Sequence, residues 1–200
     1  MVSSGTSLTK GEGVNGARAA LFGLLGRLLL APPNAALLAR LCALRPDESA
    51  IGDALATLTA ASTKTDPMTA EREYHALFIG LGRGEVLPYA SYYRTGFLHD
   101  RPLAALRADL ARLGIERTPG IAEPEDHLGF LCETMAGLLS GDFPGGDAEA
   151  EALFEHHLRP WAERCFTDIA QAEAARFYRA VGRLGQILMD IETAALGLPA

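Results

Sequence analysis

Glu123-Pro-Glu-Asp-His127 is the stretch in which residue type and spacing could do chemistry. It is a short acidic turn ahead of a strongly apolar repeat: Leu128, Leu131, Cys132, Met135, Leu138 and Leu139. Their intervals of three and four residues make one helical stripe. Pro124 suits the first helical position, where no needed donor is lost, and the neighbouring carboxylates suit the positive end of the helix dipole. Helix propensity does not call for His127 beside Asp126. Their adjacency sets a titratable ring and a carboxylate where a buried stripe meets solvent. A second stretch, Glu73-Tyr-His-Ala-Leu-Phe78, puts Tyr74, Leu77 and Phe78 on one helix face. Pro88, Tyr89, Tyr92 and Tyr93 add aromatic surface.

Several chemistries are disfavoured by spacing. A di-metal bundle needs Glu-x-x-His pairs, which point both ligands inward. The residues three before each histidine are Arg72, Gly96, Pro124, Leu153 and Phe154, none of them acidic. His156 and His157 are neighbours and diverge by roughly 100° on a helix, so they cannot chelate one ion from its face. Gly80-Leu-Gly-Arg-Gly84 follows a helix rather than a strand and has no Lys-Ser/Thr behind it, so a connector is favoured over a phosphate cradle. Ser91 has no Gly-x-Ser-x-Gly elbow around it. What remains is an apolar, aromatic cleft with a few acids, suited to an amphipathic peptide whose apolar anchors fill pockets while carboxylates meet Lys or Arg. The alternative for the same residues is plain: aromatics as core between helices, Glu123 and Asp126 as helix caps, and His127 as a satisfied, half-buried ring.

The elements that must position these residues read as helices. A chain of 200 residues fits one domain, and 48% apolar with 22% charged residues is ordinary for a folded protein. The net charge of −7 repels phosphate backbones and argues against nucleic acid. Cys42, Cys132 and Cys165 are odd in number, far apart and set in apolar patterns, which reads as buried thiols in a reducing compartment, without disulfide or metal knuckle. Arg27 interrupts the apolar run after Arg18, and no run approaches the ~18 uncharged residues of a membrane span. The expected location is the cytoplasm.

Residues 1–15 are expected to be a flexible leader and residues 16–200 a single all-helical domain, with a hinge at 141–146 across which helices could be exchanged between two copies. The spacing predicts helices over 17–30, 35–43, from Asp47, from Pro67 to Phe78, over 102–113, 124–140 and 172–196, and on either side of a break at Pro160. Alternating β-branched stretches are lacking, so the fold class is all-α.

Taken together, Glu73-Tyr-x-x-Leu-Phe78-x-Gly80, Pro88-Tyr89-x-Ser91-x-Tyr93 and Glu123-Pro-x-Asp-His127 resemble the TorD/DmsD family of redox-enzyme maturation chaperones, as does the tail Phe154-x-x-His157-Leu158-x-Pro160-Trp161 followed by Phe177-Tyr178. The resemblance runs in order from about residue 17 to residue 192. It departs from the family at Tyr74 and Tyr89, where Trp is frequent, and at Ala90, where an acidic residue is.

The resemblance implies a cytoplasmic helical chaperone with no catalytic chemistry and no cofactor of its own. It would bind the twin-arginine signal peptide and apo form of a molybdenum-cofactor oxidoreductase and hold back export until the cofactor is inserted. Carried over residue by residue, the peptide-binding surface would be Tyr74, Leu77, Phe78, Pro88, Tyr89, Glu123, Pro124, Asp126 and His127. The apolar region of the leader would bury against Leu77, Phe78, Pro88 and Tyr89, and its arginines would approach Glu123 and Asp126. Alternatives are an assembly factor binding a folded region of its client, a weak guanine-nucleotide-binding protein using Gly80–Gly84, and a small-molecule regulator.

Overall fold

A computed structural model describes residues 10–116 and 123–197. Among the described residues the secondary structure is helical, apart from one isolated bridge between Tyr89 and His127. The helices are α1 (Lys10–Leu30), α2 (Ala35–Cys42), α3 (Ala50–Ser62), α4 (Pro67–Tyr74), α5 (Ala90–Thr95), α6 (Arg101–Arg112), α7 (Leu128–Ser140), α8 (Asp147–Leu153), α9 (Ala162–Gln171) and α10 (Phe177–Leu196). Two of them run on into π-helical turns, α4 into His75–Ile79 and α8 into Phe154–Leu158. None is long and apolar enough to cross a membrane.

Local chemistry explains most of the boundaries. Asn34, Ser49 and Asp66 each accept a backbone N–H of the first turn of α2, α3 and α4, and Pro67 sits where its missing donor is harmless. Gly96 and Gly141 end α5 and α7 in the left-handed conformation.

Four expected boundaries are corrected. The first helix begins at Lys10 rather than residue 17, so residues 10–15 of the expected leader are helical; residues 1–9 lie outside the described residues. The third begins at Ala50, because Asp47 turns its carboxylate onto Ser49, which is the cap. The seventh begins at Leu128 rather than Pro124, because residues 126–127 are drawn into extended pairing with Pro88–Ala90. The last begins at Phe177 rather than Ala172, for reasons given below.

The core is laid down by α1 against α7. Phe22, Leu25, Leu28 and Leu29 meet Leu128, Leu131, Cys132 and Met135, all fully buried. Burial of each large side chain is worth about 1.5–3 kcal/mol. The axes approach at Gly26 and Gly129: a Cβ on Gly129 would lie 2.8 Å from Leu30 Cγ and 3.2 Å from the Gly26 carbonyl. α10 packs on α9 through Gly182 and Gly185, and ties to α1 through a bidentate pair, Arg18 Nε and Nη2 donating to Glu192 at 2.9 and 2.6 Å. Glu192 is buried, and this bond holds the Arg18 guanidinium above its ordinary range.

A Cβ on Gly185 would stand 2.2 Å from the ring of Phe166, itself fully buried. Ala is the better helix former by about 1 kcal/mol. Gly185→Ala is nevertheless expected to lose about 1–3 kcal/mol, since neither helix can retreat without opening the core. Urea unfolding checks this, and a stabilised variant would show that α9 and α10 separate freely.

Candidate functional site

Pro88–Ala90 and Asp126–Leu128 meet as two short extended segments. The Ala90 N–H donates to the Asp126 carbonyl at 2.9 Å, and the Leu128 N–H to the Pro88 carbonyl at 2.8 Å. This bridge fixes Tyr89 opposite His127, and their rings stand edge-to-face with centroids 5.1 Å apart. The Tyr89 hydroxyl donates to a carboxylate oxygen of Glu123 in a short bond. Burial and that bond push the Tyr89 hydroxyl well above its ordinary range.

Two side chains expected on the rim prove to be the posts beneath it. Asp126 is 1% exposed, and its Oδ2 accepts the Ser91 N–H at 2.9 Å, so its charge serves the first turn of α5. His127 is 4% exposed and is the N-cap of α7, its Nδ1 accepting the Gly129 N–H at 3.0 Å. An accepting Nδ1 is an unprotonated one, so the ring is neutral with its proton on Nε2. Burial lowers its pKa to about 4, against the opposing pull of Glu123 and Asp126.

The second cluster rises from α4. Tyr74 is half-buried, its ring 5.0 Å from Phe78 and 6.0 Å from Tyr178, and its hydroxyl donates to the Leu29 carbonyl at 3.2 Å. Phe78 is 9% exposed and Leu77 is fully buried. The two clusters act on one another electrostatically: burial, with Glu123 adding to it, pushes the Tyr74 hydroxyl up to about 12, and Tyr74 in turn adds to the rise at Tyr89. Tyr74, Tyr89, Glu123 and Pro124 are therefore the partly exposed members, while Leu77, Phe78, Pro88, Asp126 and His127 support them from below.

Sequence reasoning missed Glu73, the residue that anchors α4 to the far end of the chain. It is buried, and its carboxylate accepts three backbone N–H groups at the start of α10: Arg176 at 2.7 Å, Phe177 at 3.1 Å and Tyr178 at 2.7 Å. Glu85 does likewise one turn earlier, accepting from Glu173 at 2.8 Å and Ala174 at 3.1 Å. These caps move the start of α10 to Phe177 and bring Tyr178 beneath Tyr74 and Phe78. Its sequence signals were its place at the head of the Glu73-Tyr-x-x-Leu-Phe78 motif and an acid facing the apolar side of its helix.

The glycine loop is built for reversal. At Gly80, φ is 64° and a Cβ would lie 2.0 Å from the Arg83 carbonyl; at Gly84 it would lie 2.5 Å from the Leu77 carbonyl. The chain folds back on the π-turn, with the Val86 N–H on the Leu77 carbonyl at 2.9 Å. The space between the glycines is thus occupied by backbone, which disfavours the phosphate-cradle alternative.

Comparison with known proteins places this arrangement. The profile of the nitrate reductase delta subunit family matches residues 45–167. The chain is similar to the TorD chaperone of Vibrio cholerae, 31% identical over 121 residues, 54% of this chain and 53% of that protein. It is similar also to the TorD chaperone of Shewanella loihica, 26% identical over 165 residues, 77% of this chain and 74% of that protein. It spans about half the length of the Vibrio relative. A crystal structure of a candidate redox enzyme maturation protein from Archaeoglobus fulgidus superposes with a TM-score of 0.59 at 16% identity, over 95% of this chain and 99% of that one, and shows the same fold. The chain belongs to the nitrate reductase delta subunit family, among the TorD/DmsD-type redox-enzyme maturation chaperones.

Proposed function

We propose that this chain is a chaperone that holds the twin-arginine leader of a molybdenum-cofactor oxidoreductase on the surface formed by Tyr74, Tyr89, Glu123 and Pro124. It keeps the apoenzyme in the cytoplasm until the cofactor is inserted, then releases it for export. The observation that carries this reading is the Tyr89 hydroxyl bound to the Glu123 carboxylate, whose charge also reaches half-buried Tyr74. A guanidinium is planar, stacks on aromatic faces and meets a carboxylate with two parallel N–H bonds. An aromatic-acid pair already held in place therefore favours arginine over lysine at little ordering cost.

The apolar part of the leader covers Tyr74, Tyr89 and the edges of Phe78 and Pro88, gaining roughly 25 cal/mol per Å² removed from water. Leu77, Asp126 and His127 set the shape of that surface without reaching the peptide. Asp126 is thus a positioning residue, with its carboxylate spent on the Ser91 N–H. Oxygen 2.9 Å from that amide is worth more there than at the rim, since an orphaned buried donor costs about 1–3 kcal/mol.

Calorimetric titration with a twin-arginine leader peptide tests the assignment. Glu123→Gln is expected to weaken binding about tenfold with nearly unchanged thermal stability, and Tyr89→Ala somewhat more, with some loss of stability because its ring packs on His127. Replacing both peptide arginines by lysine is expected to produce a loss similar to that of Glu123→Gln. Asp126→Ala, in contrast, is expected to lower binding and melting temperature together. Wild-type affinity in both Glu123→Gln and Tyr89→Ala would overturn the proposed surface.

A further inference from the structure

Residues 13–46, which form most of α1 and all of α2, include Arg18, Arg27, Arg40 and Arg45 and no Asp or Glu, in a chain whose net charge is −7. Two of these arginines already face acids: Arg18 is paired with buried Glu192, and exposed Arg27 acts on the charge of Glu133. Arg45 folds onto the Ala43 and Leu44 carbonyls at the end of α2. Arg40 stands in the wall of a cleft.

That cleft lies between α1, α2 and α3 and has a volume of about 440 Å³. Its walls are Leu21 and Leu24 of α1, Leu37 within α2 and Leu44 after it, and Ile51 and Leu55 of α3, each only half-buried. Arg40 is the one charged side chain in its lining. Val14, 53% exposed, continues the α1 stripe outward at helical spacing with Ala17, Leu21 and Leu24. Of the acids that follow α2, Asp47 is engaged locally, its carboxylate accepting the N–H and hydroxyl of Ser49. The cleft shares no residue with the Tyr74–Tyr89–Glu123 surface.

We propose that this cleft docks an amphipathic helix of a protein partner, whose aliphatic anchors recur at i, i+3, i+4 and i+7 and whose flank carries a carboxylate facing Arg40. Helix-in-groove recognition uses such anchors. A cleft of this size receives a few side chains, whereas a stable two-copy interface buries about 800 Å² on each partner. Charge selects the occupant. Arg40, the one charged side chain in the lining, repels a basic leader and draws a carboxylate, so the two surfaces of this chain take segments of opposite sign. This inference stands independently of the leader reading.

The probe is a fluorescein-labelled designed helix of about five turns, with leucine anchors and glutamate flanks, compared by anisotropy with a lysine-flanked counterpart on the full chain. The glutamate helix is expected to bind about tenfold more tightly than the lysine helix. Arg40→Glu, at an exposed position, should invert that preference without affecting the fold. Leu37→Ser should weaken both helices, while twin-arginine peptide binding stays as in wild type. Equal affinity for the two helices, or displacement of the bound helix by the twin-arginine peptide, would overturn the proposal. So would self-association in sedimentation that Leu37→Ser abolishes, since a second copy would then be the occupant.

Discussion

Glu73→Ala is expected to destabilise the chain by about 3–5 kcal/mol, because three backbone donors lose a charged acceptor inside the protein. Glu73 is 7% exposed, so water does not readily replace it. That loss is a large share of the roughly 5–15 kcal/mol by which domains are stable. Glu73→Gln keeps one acceptor oxygen and should recover part of the loss. Hydrogen exchange adds a local readout: the amides of residues 176–178 should open well before those of α1 and α7. The expectation fails if Glu73→Ala unfolds at the wild-type urea midpoint. Leader binding should fall with it, since Tyr178 under Tyr74 and Phe78 is placed by the same carboxylate.

Acidification is the second large effect, and it centres on His127. The folded ring is held neutral, with its pKa lowered from 6.5 to about 4 by burial, while Glu123 and Asp126 pull the other way and Tyr89 covers its face. An unfolded chain takes the proton near pH 6.5. Stability from this group is therefore complete above pH 6.5 and falls as pH drops towards 4, by on the order of 3 kcal/mol. Burial also lowers His157, which contributes in the same direction despite Asp109 at 2.7 Å. His127→Asn keeps a capping acceptor and leaves His157 in place, so it isolates the His127 share. Urea unfolding between pH 7.5 and 4.5 should give a shallower acid slope for the variant, even though it starts from lower stability. Parallel profiles would show that the ring titrates freely in the folded state.

How much of this was legible in the sequence follows from the range over which each cause acts. The all-helical class stands as read, and the caps at Asn34, Asp66 and Asp100 depend, like it, on neighbours within one turn. Pro124 misled for the same reason: its local signature is that of a helix start, but pairing with Pro88–Ala90, far away in the chain, holds the segment extended. Glu73 looked like one more acid on an amphipathic helix, since the amides it caps lie more than a hundred residues later. The π-turns at His75–Ile79 and Phe154–Leu158 each widen a helix without changing its composition, so a three-and-four register passes over them. The site residues were gathered by family resemblance. Which of them face outward is decided by burial, which separates Tyr74, Tyr89 and Glu123 from Asp126 and His127.

The bond between Glu73 and α10 has a consequence for the order of events during synthesis. The carboxylate leaves the ribosome about a hundred residues before the amides that satisfy it. Until then α4 carries an unmatched charge on its inner face, and the floor under Tyr74 and Phe78 is missing Tyr178. If the proposed leader surface is right, a half-made chain has no finished surface to offer, and competence to hold a leader arrives as the last described helix docks.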